Sequence, residues 1–140
     1  MDDLVKRDDL YYEKFTDVPF TGKLTGRLQG SFKTGKREGA WVSYRENGQL
    51  MYKGNYKNDE REGLWVHYDY YGQLNTKRNW KNGEWDGPWV QYHEDGQLRG
   101  KGNFKNGKKE GTFVSYNTDG TLDKTKEWTG TFKDGVKISD

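Results

Sequence analysis

Stepping along the chain 24 residues at a time from Gly30 brings the same residue types back into register. Gly30, Gly54, Arg78 and Gly102 share one position, and two residues on stand Phe32, Tyr56, Trp80 and Phe104. Five on come Gly35, Asp59, Gly83 and Gly107, and nine on Gly39, Gly63, Gly87 and Gly111. Trp41, Trp65, Trp89 and Phe113 follow, each with Val42, Val66, Val90 or Val114 directly behind it. Tyr44, Tyr68, Tyr92 and Tyr116 recur next, then Gly48, Gly72, Gly96 and Gly120, then Leu50, Leu74, Leu98 and Leu122. A period of this length makes each copy one supersecondary unit that covers its apolar side with its neighbours. Full copies occupy 30–53, 54–77, 78–101 and 102–129, the last carrying an insertion near Asp123 to Glu127, and a half-copy fills 130–135. Before them, 10–29 reads as a degenerate N-terminal capping hairpin and 1–9 as a polar lead-in; 136–140 is a tail.

Each copy reads as two strands. In the second, Leu50, Tyr52, Gly54 and Tyr56 alternate with Met51, Lys53, Asn55 and Lys57, the period of a half-buried strand. Asn58-Asp59, Asn82-Gly83 and Asn106-Gly107 supply turn residues that tolerate positive φ. The return strand runs Gly63-Leu64-Trp65-Val66-His67-Tyr68. Short connections force antiparallel neighbours, so the expected fold is all-β: one elongated antiparallel meander sheet of hairpins. The aromatic before the turn is expected opposite the Trp of the return strand, forming the main buried ladder together with the Leu row. Val and Tyr of the return strand then face the other side among Lys and Asn.

Composition agrees with so thin a core. Leu, Ile, Val and Phe make only 23 residues, whereas Trp, Tyr and Phe make 22, too many for a solvated tail. A net charge of +2, with Lys and Arg interleaved among Glu and Asp, argues against a nucleic-acid partner. No apolar run is long enough for a transmembrane segment. The absence of cysteine excludes disulfides, thiolate metal sites and a Cys nucleophile. Polarity and the lack of Cys tilt the expected location towards export, periplasmic or extracellular, over the cytoplasm.

The chemistry of an enzyme is not legible. His67 and His93 fall at different repeat positions and read as exposed strand or turn residues. The carboxylates gather in the turns, Glu38, Glu60, Glu62, Glu84, Asp86 and Glu110 along one edge and Glu46, Asp69, Glu94, Asp95 and Asp119 along the other, where solvated turn charges are expected. A catalytic pair needs a shaped pocket to split two pKa values, and no calcium loop spacing appears. The glycines are periodic turn and strand residues, not a phosphate-cradling loop. No cofactor and no metal is expected.

Two stripes stand out as a candidate interaction surface. Tyr44, Tyr68, Tyr92 and Tyr116 read either as a core ladder or as an exposed aromatic groove. Lys53, Lys57, Lys77, Lys81, Lys101 and Lys105 form a cationic stripe on an outer strand face.

With Gly102-Asn103-Phe104-Lys105-Asn106-Gly107-Lys108-Lys109-Glu110-Gly111, then Phe113, Tyr116, Gly120 and Leu122, the chain resembles the MORN-repeat family in its bacterial variant. The likeness covers 30–135; Asp59 replaces the turn glycine, and Trp85, Pro88 and the insertion depart from the pattern. Many bacterial proteins of this variant are named antitoxin components, and other MORN arrays are described as protein- or lipid-binding scaffolds. The resemblance implies a non-enzymatic module whose partner is another protein or a further copy of itself, as a homo-oligomer or filament. Carbohydrate or cell-wall binding through the Tyr and Trp row is the alternative, and acidic lipid a third.

Overall fold

The computed structural model of the chain describes residues 3–140, so Met1 and Asp2 of the lead-in lie outside the described residues. Among the described residues thirteen strands follow one another: β1 Leu4–Arg7, β2 Leu10–Glu13, β3 Gly22–Leu24, β4 Leu28–Lys33, β5 Lys36–Tyr44, β6 Leu50–Lys57 and β7 Glu60–Tyr68 come first. Then come β8 Leu74–Lys81, β9 Glu84–Tyr92, β10 Leu98–Lys105, β11 Lys108–Ser115, β12 Gly130–Lys133 and β13 Val136–Ser139. β3 to β13 form a single 11-stranded sheet in chain order, each strand antiparallel to the next. At about 4.8 Å per strand the sheet runs about 48 Å. The all-β meander is as the repeat demanded.

The hairpin turns take the conformation their residues favour. Asn58 and Asp59 have φ of 50° and 69°, Asn82 and Gly83 51° and 78°, Asn106 and Gly107 50° and 80°. Positive φ at both central residues is the primed turn whose twist matches that of the strands. Each turn also docks on the hairpin before it. The Asn58, Asn82, Asn106 and Asp134 amides donate to carboxylate oxygens of Glu38 (2.9 Å), Glu62 (3.1 Å), Asp86 (3.2 Å) and Glu110 (2.9 Å). The next amide, of Asp59, Gly83, Gly107 or Gly135, donates to the carbonyl of Arg37, Arg61, Trp85 or Lys109. One edge of acids therefore holds consecutive hairpins together.

Register departs from the expected pairing in two ways. Within a hairpin the aromatic does not sit opposite the Trp: Tyr56 pairs with Arg61, and pairing then jumps from Asn55–Glu62 to Lys53–Val66. Gly54 alone of β6 faces Gly63, Leu64 and Trp65 of β7, with Gly63 at φ 73°. The surplus is even, so the faces are preserved, and Trp65 is laid flat over Gly54. A Cβ at Gly54 would lie 2.1 Å from the indole, so only glycine fits. Between hairpins the surplus is odd: Ser43 pairs with Tyr52 but Tyr44 pairs with Leu50, skipping Met51. One extra residue swaps faces, so Leu50, Leu74 and Leu98 pair with Tyr44, Tyr68 and Tyr92 and leave the aromatic ladder. That corrects the expectation of a buried Leu row.

The core is a file of rings along one face. Phe32 meets Trp41 at 5.1 Å, Trp41 meets Tyr56 at 5.6 Å and Tyr56 meets Trp65 at 5.0 Å, all edge-on. Trp41 is 2% and Trp65 1% exposed. A second cluster joins Phe104, Phe113 and Phe132, with Trp85, Trp89 and Trp128 packed against it. At the N-terminal end the lead-in differs from its reading: β1 pairs with β2, and Tyr11 and Phe20 pack on Phe32 at 5.1 and 5.5 Å. The cap is thus a separate hairpin over 4–13, while Gly22–Leu24 opens the main sheet.

Candidate functional site

The face opposite the rings carries the stripes read from the sequence. Val42, Lys53, Val66, Lys77, Val90, Lys101 and Val114 pair in turn across consecutive strands and form one unbroken row. Cations recur on every second strand, about 10 Å apart. Lys57, Lys81 and Lys105 stand four residues along the same strands, at the hairpin tips, and are exposed. Lys53 and Lys101 are exposed and Lys77 half-buried. Tyr44, Tyr68, Tyr92 and Tyr116 are half-buried and pair with Leu50, Leu74, Leu98 and Leu122. They are neither a sealed core ladder nor a fully open groove. The structure brings tyrosines and lysines onto one face, in parallel rows.

Acids of the far edge cap the longer turns. Asp69 Oδ1 accepts from the Tyr71 and Gln73 amides, both at 2.9 Å, and Asp95 and Asp119 accept from Gln97 and Thr121. Hydrogen bonds from the Thr121 hydroxyl and amide hold the Asp119 carboxyl below its ordinary pKa. Among the described residues no group of three or more His, Cys, Asp or Glu is placed to hold a metal. Also among them, no helix is long and apolar enough to cross a membrane.

Both histidines are half-buried rather than exposed. His93 Nε2 lies 2.8 Å from the Tyr116 carbonyl, which only accepts, so that nitrogen carries the proton. Two repeat periods back, Arg45 makes the same reach, donating to the Tyr68 carbonyl at 3.0 Å. His67 meets the Tyr52 ring at 5.5 Å; burial, with Arg61 and Arg78 nearby, lowers its pKa.

Sequence reasoning missed a set of cations lying on the ring face. Arg37 sits 4.2 Å over the Tyr56 ring and donates to Asp59 at 2.5 Å. Burial opposes its charge, yet the bond to Asp59 and the neighbouring Tyr56 outweigh it and raise its pKa. Arg61 occupies the same repeat position, over Trp65 and Trp80 at 4.8 and 4.9 Å, but the residue matching Asp59 is Gly83. The signal was available: one copy has an acid at the turn where the others have glycine.

The largest consequence follows from Arg78, which stands where the other copies have glycine. Trp41, Trp65 and Phe113 each lie flat on Gly30, Gly54 or Gly102. Trp89 has no such floor, because Arg78 is its cross-strand partner, and it remains half-exposed. Arg78 stacks instead on Trp85 at 4.1 Å. Trp128, delivered by the insertion, closes edge-on against Trp89 at 5.6 Å and rests on Gly100, where a Cβ would lie 2.6 Å from its ring. Between them opens a cleft of about 240 Å³, lined also by Gln91, Arg99, Lys109 and Phe113. Trp128, directly after the insertion, lines this cleft, and Trp85, another departure from the pattern, backs it through Arg78 without lining it. Pro88, the third departure, is exposed, and its carbonyl accepts from Asn79 at 2.9 Å.

Comparison with known proteins places these hairpins. The MORN repeat variant matches residues 37–58 and 85–106. No curated protein matches the chain. Among solved structures, a chain of a GtfA/B complex bound to UDP and GlcNAc is 14% identical with a TM-score of 0.26, covering 79% of this chain and 24% of that one.

Proposed function

We propose that this array, two stretches of which match the MORN repeat variant, is a non-enzymatic interaction module that takes another protein on its Val–Lys–Tyr face. One observation supports the reading: the unbroken row from Val42 to Val114, flanked by the four Tyr–Leu pairs. Half-buried tyrosines lend rigid area and a polar tip, and the half-buried Val42, Val90 and Val114 between cations add apolar surface that a partner desolvates, Val66 being already buried. Lysines at a fixed spacing favour a partner with acids at that spacing and speed its approach. The turn carboxylates are already engaged with backbone amides, which supports binding rather than acid–base catalysis. A toxin enzyme would be a special case of such a partner, and a second copy of the chain another.

The test is affinity capture with wild-type chain and with a Tyr68→Ser/Tyr92→Ser variant shown by circular dichroism to keep its fold. The expected result is a protein retained by the first and lost by the second, or concentration-dependent self-association in light scattering that the variant abolishes. A monomer at every concentration with identical captures by both chains overturns the reading. So does a screen in which only glycans bind.

A further inference from the structure

We propose that the cleft between Trp89 and Trp128 is a separate site for a small flat anion, a carboxylate or phosphate carried on an aromatic ring. It lies on the ring face, opposite the Val–Lys–Tyr face, and does not depend on that face's role. Three cations, Arg78, Arg99 and Lys109, line it, and none of the lining residues is acidic. Among the described residues none of the three forms an ion pair. The contrast with Arg37, paired to Asp59 on the same face, shows what this chain does with a cation it intends to neutralise internally.

The donors are also unspent. Arg78 Nε and Trp89 Nε1 are buried without a hydrogen-bond partner. A buried donor left so costs about 1–3 kcal/mol, which a bound acceptor would recover. Lys109 donates one hydrogen bond, to the Trp128 carbonyl at 3.0 Å, and keeps two further N–H groups. Burial, then Arg61 for Arg78 and Lys137 for Lys109, lowers both pKa values, the opposite of Arg37. The walls supply the flat part of the site: Trp89 and Trp128 meet at 87°, and Phe113 lies nearly parallel to Trp89. At about 240 Å³ the cleft is below the ~300–1,000 Å³ of sites for drug-sized ligands, and suits one ring with one anionic group.

No ordinary repeat would contain this site. It needs Arg78 in place of the glycine, Gly100 in place of the Tyr52 and Thr76 of the earlier copies, and a tryptophan brought by the insertion. Each change is compatible with the sheet, and together they produce one pocket.

Phenyl phosphate and benzoate are the probes, with inorganic phosphate and neutral benzyl alcohol as controls, read by calorimetry and by the indole N–H resonances of the intact chain. Either aryl anion should bind saturably and move the Trp89 and Trp128 resonances. Inorganic phosphate and benzyl alcohol should each bind at least about tenfold more weakly, since each keeps only half of the recognition. Arg99→Gln, an exposed residue, should weaken the aryl anion about tenfold and Arg78→Gly should abolish the site, while Lys33→Gln, exposed on β4 and outside the cleft, should leave aryl-anion binding unchanged. No saturable binding by either anion overturns the proposal. Equal binding of benzyl alcohol, or equal loss in Lys33→Gln, overturns it as well. A chain that binds aryl anions but captures no protein would refute only the reading of the other face.

Discussion

Replacing Gly54 by alanine tests the packing that defines every copy. The new methyl carbon would start 2.1 Å from the Trp65 indole, whereas ordinary contact begins at 3.4 Å. The ring has nowhere to retreat: it is 1% exposed, held by Tyr56 at 5.0 Å and Tyr52 at 5.8 Å. Its Nε1 also donates to the Asn55 carbonyl at 3.0 Å, a bond that a shift would stretch. Overpacking costs about 1–3 kcal/mol and a weakened hydrogen bond about 1 more, so we expect a loss of about 2–4 kcal/mol. At about 4 °C per kcal/mol for a chain of this size, the thermal midpoint should fall by about 8–16 °C. Gly63→Ala is the control. Its φ of 73° strains any side chain, but nothing lies within 4 Å of the new carbon. That variant should lose about 1–2 kcal/mol and leave the indole in place. Melting followed by tryptophan emission distinguishes them, because only Gly54→Ala should red-shift the folded-state spectrum. If Gly54→Ala costs no more than Gly63→Ala and the emission does not move, the argument that glycine forms the floor of each tryptophan is wrong.

Asp59→Asn removes the acid from Arg37, whose side chains are 15% and 25% exposed. Urea unfolding should show a loss of about 1–3 kcal/mol, little changed by salt because the pair is sheltered. His67 carries a pH dependence: burial first, then Arg61 and Arg78, lowers its folded pKa below the unfolded value. The unfolded chain therefore binds the extra proton, and stability present at pH 7.5 should be lost as pH falls through the ordinary histidine range and on towards the folded value. His67→Gln, which borrows Gln91 from the same position of the next copy, should flatten the urea midpoint between pH 7.5 and 5.5; an unchanged slope would assign the dependence elsewhere. Phe113→Ala, at a ring 1% exposed in the second cluster, should cost about 3–5 kcal/mol in the same assay.

The period was legible because it was written in residues with stringent local requirements. Asn-Gly marks a primed turn, and alternation over Leu50 to Lys57 marks a strand whose bounds the structure reproduces. Which face each residue takes was legible up to the bulges and no further. An even surplus in the return strand leaves faces unchanged, so Val and Tyr landed where alternation put them. The single extra residue at Met51 shifts Leu50 to the Tyr side, and no residue type there announces it. The cap escaped for a related reason. Leu4 and Val5 pair with Glu13 and Tyr12 across a two-aspartate turn, but four residues among acids and bases carry too little alternation to declare a strand.

Repeats of this kind also turn a departure into information, because the neighbouring copies show what a position does by default. Asp59 beside Gly83 and Gly107 converts a turn residue into a counter-ion for Arg37. Arg78 beside Gly30, Gly54 and Gly102 does the reverse, removing the floor of a tryptophan and leaving a cation with no acid. The first change costs the sheet nothing in packing, since Asp59 accepts the positive φ of 69° that the turn imposes. The second falls between the two buried clusters, which stay in touch through Trp80 and Trp85 at 6.0 Å. A substitution that opens a core without supplying a neutralising partner lowers stability unless something else occupies the gap. That makes the Trp89–Trp128 cleft the place where this array gave up regularity, whereas the Val–Lys–Tyr face is where it kept it.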